Sequence, residues 1–149
     1  MPASVQSLAG DGIEAVGYVP SLEPHLQQCR LSIAPLRFGA GVKGKITTAL
    51  SAGVPMVATS IAVEGMHLEH ERDVLVADSA EAFAAAIIRL HGDEALWIRL
   101  AQGGRENVAR HFSPDAARPM LGELLAAATV KRQAALTAAG ATPSAGYSR

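Results

Sequence analysis

Three short apolar runs, each followed by a helical segment, constrain this chain more than any other feature. They are Leu31-Ser32-Ile33-Ala34-Pro35, Pro55-Met56-Val57-Ala58-Thr59 and Val74-Leu75-Val76-Ala77. None shows the polar–apolar alternation of a strand with one wet face, so all three are expected to be covered on both sides. After the first, Ile46, Ala49 and Leu50 recur at helical spacing until Gly53 stops the helix. Ser60 to Met66 after the second is expected to begin a short helix. After the third, Ser79 caps a helix over Ala80 to Leu90, with Phe83, Ile87 and Leu90 on one face. Ile13 to Val19, closed by Pro20, is expected to be a further strand, followed by a short helix from Ser21 to about Cys29. Strands alternating with helices predict an α/β fold, a parallel sheet with helices on both faces. Ligands of such sheets bind beyond the carboxyl ends of the strands.

Gly92-Asp93 then breaks the pattern, and a helix follows with Leu96, Trp97, Leu100 and Val108 inward. Ser113-Pro114-Asp115 opens a last helix running towards Gln133. Residues 1–130 are therefore expected to form one domain, and residues 131–149 a helix end and a disordered tail from about Ala138. With 49% hydrophobic and 18% charged residues, the body of the chain is not of the disordered class. A formal net charge of -1 gives no global basic field, so nucleic acid is not expected as a partner. The single cysteine, Cys29, excludes an internal disulfide and is expected as a small buried hydrophobe. No signal-peptide pattern or long apolar span is read, so a cytoplasmic location is expected.

The stretch most able to carry chemistry lies just after Ala34-Pro35. Gly39, Gly41 and Gly44 let backbone N–H groups approach an anion. A helix starting near Val42 or Lys43 adds its unpaired amides, and Arg37, Lys43 and Lys45 add full charges. A diphosphate suits such a site. The same residues also suit a flexible loop whose lysines are simply solvated. Gly39 to Lys45 matches the G-x-x-x-x-G-K of a P-loop, and Val74 to Asp78 mimics the strand and aspartate that assist magnesium. The next residue, however, is Ile46, where a P-loop needs a serine or threonine for Mg²⁺, and Thr47 comes one position late. A P-loop nucleotidase is thereby disfavoured. His67, Glu69, His70, Glu71 and Asp73 share one polar loop without a zinc spacing, so no metal is expected there. Arg105, Arg110, Lys131 and Arg132 fit either a basic face for peripheral membrane contact or ordinary solvated helix charges.

An ordered series of segments resembles the C-terminal, donor-binding domain of GT-B fold glycosyltransferases, the glycosyl transferases group 1 family, also called family 4. The segments are Gly17-Tyr18-Val19-Pro20, Ile33 to Ile46, Ala49 to Thr59, Val63-Glu64-Gly65-Met66, Asp73 to Asp78 and Gly104-Arg105 to Phe112-Ser113. The resemblance covers roughly residues 13 to 130 and implies a Rossmann-like, partial GT-B domain. It implies a nucleotide sugar, expected to be UDP- or GDP-linked, as substrate and no separate cofactor. The donor diphosphate would lie against Arg37, Gly39, Ala40, Gly41, Val42, Lys43 and Lys45. Many members carry two glutamates separated by seven residues around this loop. Here those positions are Ala40 and Thr48, neither a carboxylate, although Thr48 can offer a hydroxyl to a ribose. Glu64 fits either a cleft residue or a solvated loop charge. No catalytic residue is assigned.

The resemblance leaves out the acceptor domain and the first two strands of the donor domain. Those strands would sit between Ile13–Val19 and Leu31–Pro35 in the order 3-2-1-4-5-6. The chain is thus expected to act as a fragment, inactive alone, with an N-terminal acceptor domain or a second copy of itself as partner. The alternative is a non-catalytic, nucleotide-binding or interaction remnant of such a domain.

Overall fold

A computed structural model describes residues 2–138. In chain order the elements are α1 (Ala3–Gln6), α2 (Glu23–Gln28), β1 (Ser32–Ala34), α3 (Gly44–Ser51), β2 (Met56–Ala58), α4 (Ser60–Val63), β3 (Leu75–Val76), α5 (Ala80–Gly92), α6 (Glu94–Phe112) and α7 (Pro114–Ala138). The three strands form one parallel sheet in the order β1-β2-β3. Ile33 stands opposite Val57, and Val57 opposite Leu75.

Alternation along the strands divides the core between the two faces of the sheet. Ala34, Met56, Ala58 and Val74 point to one side, where Ile46 and Leu50 of α3, Ala62 of α4 and Met66 pack on them. Val57 and Leu75 point to the other, against Leu90 of α5 and Leu96 and Leu100 of α6, with Phe83 and Ile87 partly buried beside them. α6 serves both layers, because Val108 and Phe112 near its far end pack on the α3 side. Helices on both faces of a parallel sheet are the arrangement that the apolar strands require.

Side-chain caps fix where three helices begin. Thr59 Oγ1 accepts the Ala62 N–H, Ser79 Oγ the Ala82 N–H, and Asp93 Oδ1 the Leu96 N–H. Each satisfies an orphan amide and contributes about 1 kcal/mol. At the other end of α3, Gly53 adopts φ +77°, and its N–H donates to the Leu50 carbonyl. That left-handed turn sends the chain directly into β2.

Two expectations are corrected. Ile13–Val19 is not a strand: its only pairing is an isolated bridge between Ile13 and Gly10. A strand exists only where a neighbour takes its N–H and C=O groups, and among the described residues none lies alongside this segment, so Ile13, Val16 and Tyr18 remain exposed. Cys29 is exposed, because it follows the end of α2 instead of facing the sheet. The last helix, expected to run towards Gln133 with a tail from about Ala138, extends to Ala138 despite Pro119. The expected disordered tail from about Ala138 lies almost wholly outside the described residues. Among the described residues no helix is long and apolar enough to cross a membrane.

Candidate functional site

The glycine-rich loop leaves the carboxyl end of β1, as its sequence position predicts. Its first turn is held by Thr59 at the end of β2, whose Oγ1 donates to the Leu36 carbonyl at 2.7 Å. Gly41 has φ +70°, a conformation that L side chains rarely adopt. Nothing lies within 4 Å of where a Cβ would sit on Gly39, Gly41 or Gly44, so the space above all three is open to an approaching group. Lys43 is the N-cap residue of α3 and no side chain caps that end. The amides of Gly44 and Lys45 have no acceptor among the described residues, which leaves the positive end of the helix unspent.

Lys43 is the unexpected member of this group. Its side chain turns inward and is only 9% exposed. Its Nζ donates to the Glu64 carbonyl at 2.9 Å, and its N–H to Met66 Sδ at 3.5 Å. Among the described residues no carboxylate pairs with it. An ammonium that gives up water normally gains a carboxylate and several acceptors. Here it has one neutral carbonyl. Ala40, Gly41, Val42, Lys43, Glu64 and Gly65 line one cavity of about 290 Å³ around it.

The structure therefore brings together Ala40, Gly41, Val42, Lys43 and Glu64, with Gly39 and Lys45 at either end of the same loop. It separates two other expected residues from them. Arg37 lines a different cavity, with Thr59, Asp78 and the start of α5. Thr48 faces a recess beside α2 with Glu23, Leu26 and Ser51, and its Oγ1 donates back to the Gly44 carbonyl at 2.8 Å. Gly65 and Met66 entered the sequence reading only within the family-like segment Val63 to Met66, with no site role. Their signal, a glycine and a methionine beside Glu64, has no chemical periodicity to mark it.

The remaining polar groups are engaged in holding loops. Asp78 Oδ1 accepts both the Ser60 N–H at 2.8 Å and the Ser60 hydroxyl at 2.9 Å. The buried Asp73 accepts the Glu69 N–H and Arg72 Nε. Arg72 also pairs with Glu69 at 2.7 Å. Its guanidinium is held above the ordinary arginine range, first by the hydrogen bond to Asp73. His70 Nδ1 accepts the Val76 N–H, and Glu71 pairs with Arg89 of α5. The hydrogen bond from Arg89 holds the Glu71 carboxyl below the usual glutamate range. His67, with φ +55°, stacks on His111 with ring centroids 4.4 Å apart, and its carbonyl accepts Asn107 Nδ2. Trp97, expected as core or helix packing, is partly buried; its indole N–H donates to the Arg30 carbonyl.

A parallel sheet with helices on both faces and a glycine-rich loop at the carboxyl end of its outer strand define a Rossmann-like domain. Residues 1–93 match the glycosyl transferases group 1 family, and the chain belongs to that family. Among solved structures it is similar to sucrose-phosphate synthase from Thermosynechococcus elongatus, with 22% identity and a TM-score of 0.65. That likeness covers 74% of this chain and 28% of the other, and it shows the fold, that of a GT-B glycosyltransferase domain. Comparison with curated proteins gave no match.

Proposed function

We propose that this chain binds the nucleoside diphosphate end of a nucleotide-sugar donor, as part of a glycosyltransferase that passes the sugar to an acceptor. The observation that carries this reading is the buried, carboxylate-free Lys43 ammonium. An anion in the cavity beside Gly41 and Gly65 supplies the countercharge that the protein withholds. The Gly44 and Lys45 amides then complete the diphosphate site, as at other helix N-termini. In the reaction, negative charge grows on the departing diphosphate while positive charge grows at the anomeric carbon. Donors fixed in advance stabilise that developing charge without reorganising. The donor base, UDP or GDP, is not fixed by these residues. Arg37, on a separate cavity, takes no part in this version of the site, and Thr48 contributes only where the ribose passes beside α2.

Ala40 favours a second reading, a donor domain that binds without turnover, since the loop holds no carboxylate to engage the sugar. Titration calorimetry with UDP and GDP, in the presence of a chelator, tests donor binding. Binding is expected without metal, and Lys43→Met is expected to weaken it at least tenfold, the loss of one charge-assisted hydrogen bond. Unchanged affinity in that variant, with its fold intact by circular dichroism, sinks the reading. Sugar transfer after supplying an acceptor domain separates turnover from binding alone.

A further inference from the structure

A second cavity, of about 340 Å³, opens at the carboxyl ends of all three strands. Pro35 follows β1, Thr59 follows β2, and Asp78 follows β3 by two residues. The far wall is a helical stripe of α5, Ala80, Phe83, Ala84 and Ile87, at i, i+3, i+4 and i+7. This places the cavity on the face of the sheet covered by α5, whereas the Gly41–Gly65 cavity lies on the face covered by α3.

The lining has two chemical halves. Phe83, Ala84, Ile87 and Pro35 are apolar and offer no hydrogen bond from their side chains. Arg37 shares this lining, and among the described residues its guanidinium has neither a carboxylate within salt-bridge distance nor a side-chain hydrogen bond. Asp78 is the one carboxylate on the wall. Its Oδ1 is taken twice by Ser60, which holds it away from Arg37 and leaves Oδ2 free to accept. The Thr59 hydroxyl donates to the Leu36 carbonyl and accepts the Ala62 N–H, so it is engaged within the wall. An unpaired guanidinium, a fixed carboxylate acceptor and an apolar floor form a convergent set of the kind that marks small-molecule pockets. The volume lies at the low end of the roughly 300–1,000 Å³ found for such pockets, so the ligand is small.

We propose that this cavity is a binding site for a small amphiphilic anion. A phosphate or carboxylate pairs with Arg37, a neighbouring hydroxyl donates to Asp78, and a short alkyl chain or single ring lies against Phe83, Ala84 and Ile87. The site is distinct from the donor loop and does not rest on the donor reading. Its anion belongs either to a soluble metabolite or to a lipid head group, because the chemistry of the contact is the same.

Amide chemical shifts of the full chain, titrated with hexyl phosphate, hexanol and inorganic phosphate separately, test it. Hexyl phosphate is expected to move the amides of Thr59 and Asp78 to Ala84 and to bind at least tenfold more tightly than either half alone. Ala84→Trp fills the cavity from an exposed helix position and is expected to abolish those shifts. Arg37→Gln, also exposed, is expected to weaken binding about tenfold and keeps the test decisive where the tryptophan variant fails to fold. Shifts confined to Gly41–Lys45, equal affinity for inorganic phosphate, or unchanged binding in Arg37→Gln overturns the proposal. Co-sedimentation with phosphatidate vesicles that Ala84→Trp abolishes assigns the head group to a lipid. Hexyl phosphate binding without co-sedimentation assigns it to a soluble ligand.

Discussion

Gly103 and Gly104 sit inside α6, where glycine is about 1 kcal/mol less favourable than alanine. Close packing explains them. A Cβ on Gly103 would collide with the Arg72 carbonyl oxygen and lie 2.9 Å from Asp73 Oδ1; one on Gly104 would lie 2.7 Å from Leu50 Cδ2. The first obstacle is backbone, which cannot swing aside as a side-chain tip does. Overpacking of that kind costs about 1–3 kcal/mol, more than the helix propensity regained. Gly103→Ala is therefore expected to lower stability by about 1–2 kcal/mol in urea unfolding. Gly122→Ala, in α7 with nothing within 4 Å, is expected to raise it slightly. Equal signs for the two would refute the packing account. Glu71 gives a pH signature at the same scale. Its carboxyl is held below its ordinary value of 4.5, chiefly by the Arg89 hydrogen bond. A depressed carboxylate contributes stability that is present above the unfolded value and lost as pH falls through the folded one. The melting-temperature gap between the native chain and Glu71→Gln is expected to be small at pH 7, because both partners are half exposed, and to close as pH falls below 4.5.

At the level of elements, burial decides what a substitution does. Leu100 of α6 is fully buried between α5 and the sheet, whereas Ile33, in the middle of β1, is 47% exposed. Leu100→Ala is expected to cost about 2–5 kcal/mol, and Ile33→Thr no more than about 0.5 kcal/mol. A comparable loss at Ile33 would mean that another segment covers β1. The same contrast explains what the sequence could reveal. Val57 and Leu75 lie in solidly apolar runs, and the runs became strands because each had a neighbour. The Ser79 cap was readable because capping is local chemistry. Ile13–Val19 carried the same local pattern, but pairing is a property of two segments and its partner is not alongside. At the loop, Gly39 to Lys45 was legible from residue type. That Lys43 turns inward towards the Glu64 carbonyl depended on a contact 21 residues away, and that Arg37 and Thr48 line other cavities depended on how α5 and α2 sit beside them.

For the whole molecule, the open side of β1 has the largest consequence. Among the described residues β1 stands at the edge of the sheet with no strand on its outer side. Ile33 at that edge, together with Ile13, Val16, Tyr18 (92% exposed) and Leu22 in the preceding chain, gives the molecule an apolar region that water does not favour. Edge strands in soluble proteins usually carry a charge, a bulge or a cover; β1 carries none in its Ser-Ile-Ala sequence. An edge strand of this kind is expected to recruit a second copy of the chain. The second copy can be tested with the chain alone. Its weight-average mass by light scattering is expected to rise above 15.4 kDa with concentration. Ile33→Lys, which places an ammonium on the edge while leaving the buried face intact, is expected to hold the mass near the monomer value. A native chain that stays monomeric at every concentration would rule out self-pairing at that edge. Association that persists in Ile33→Lys would move the contact away from β1 altogether.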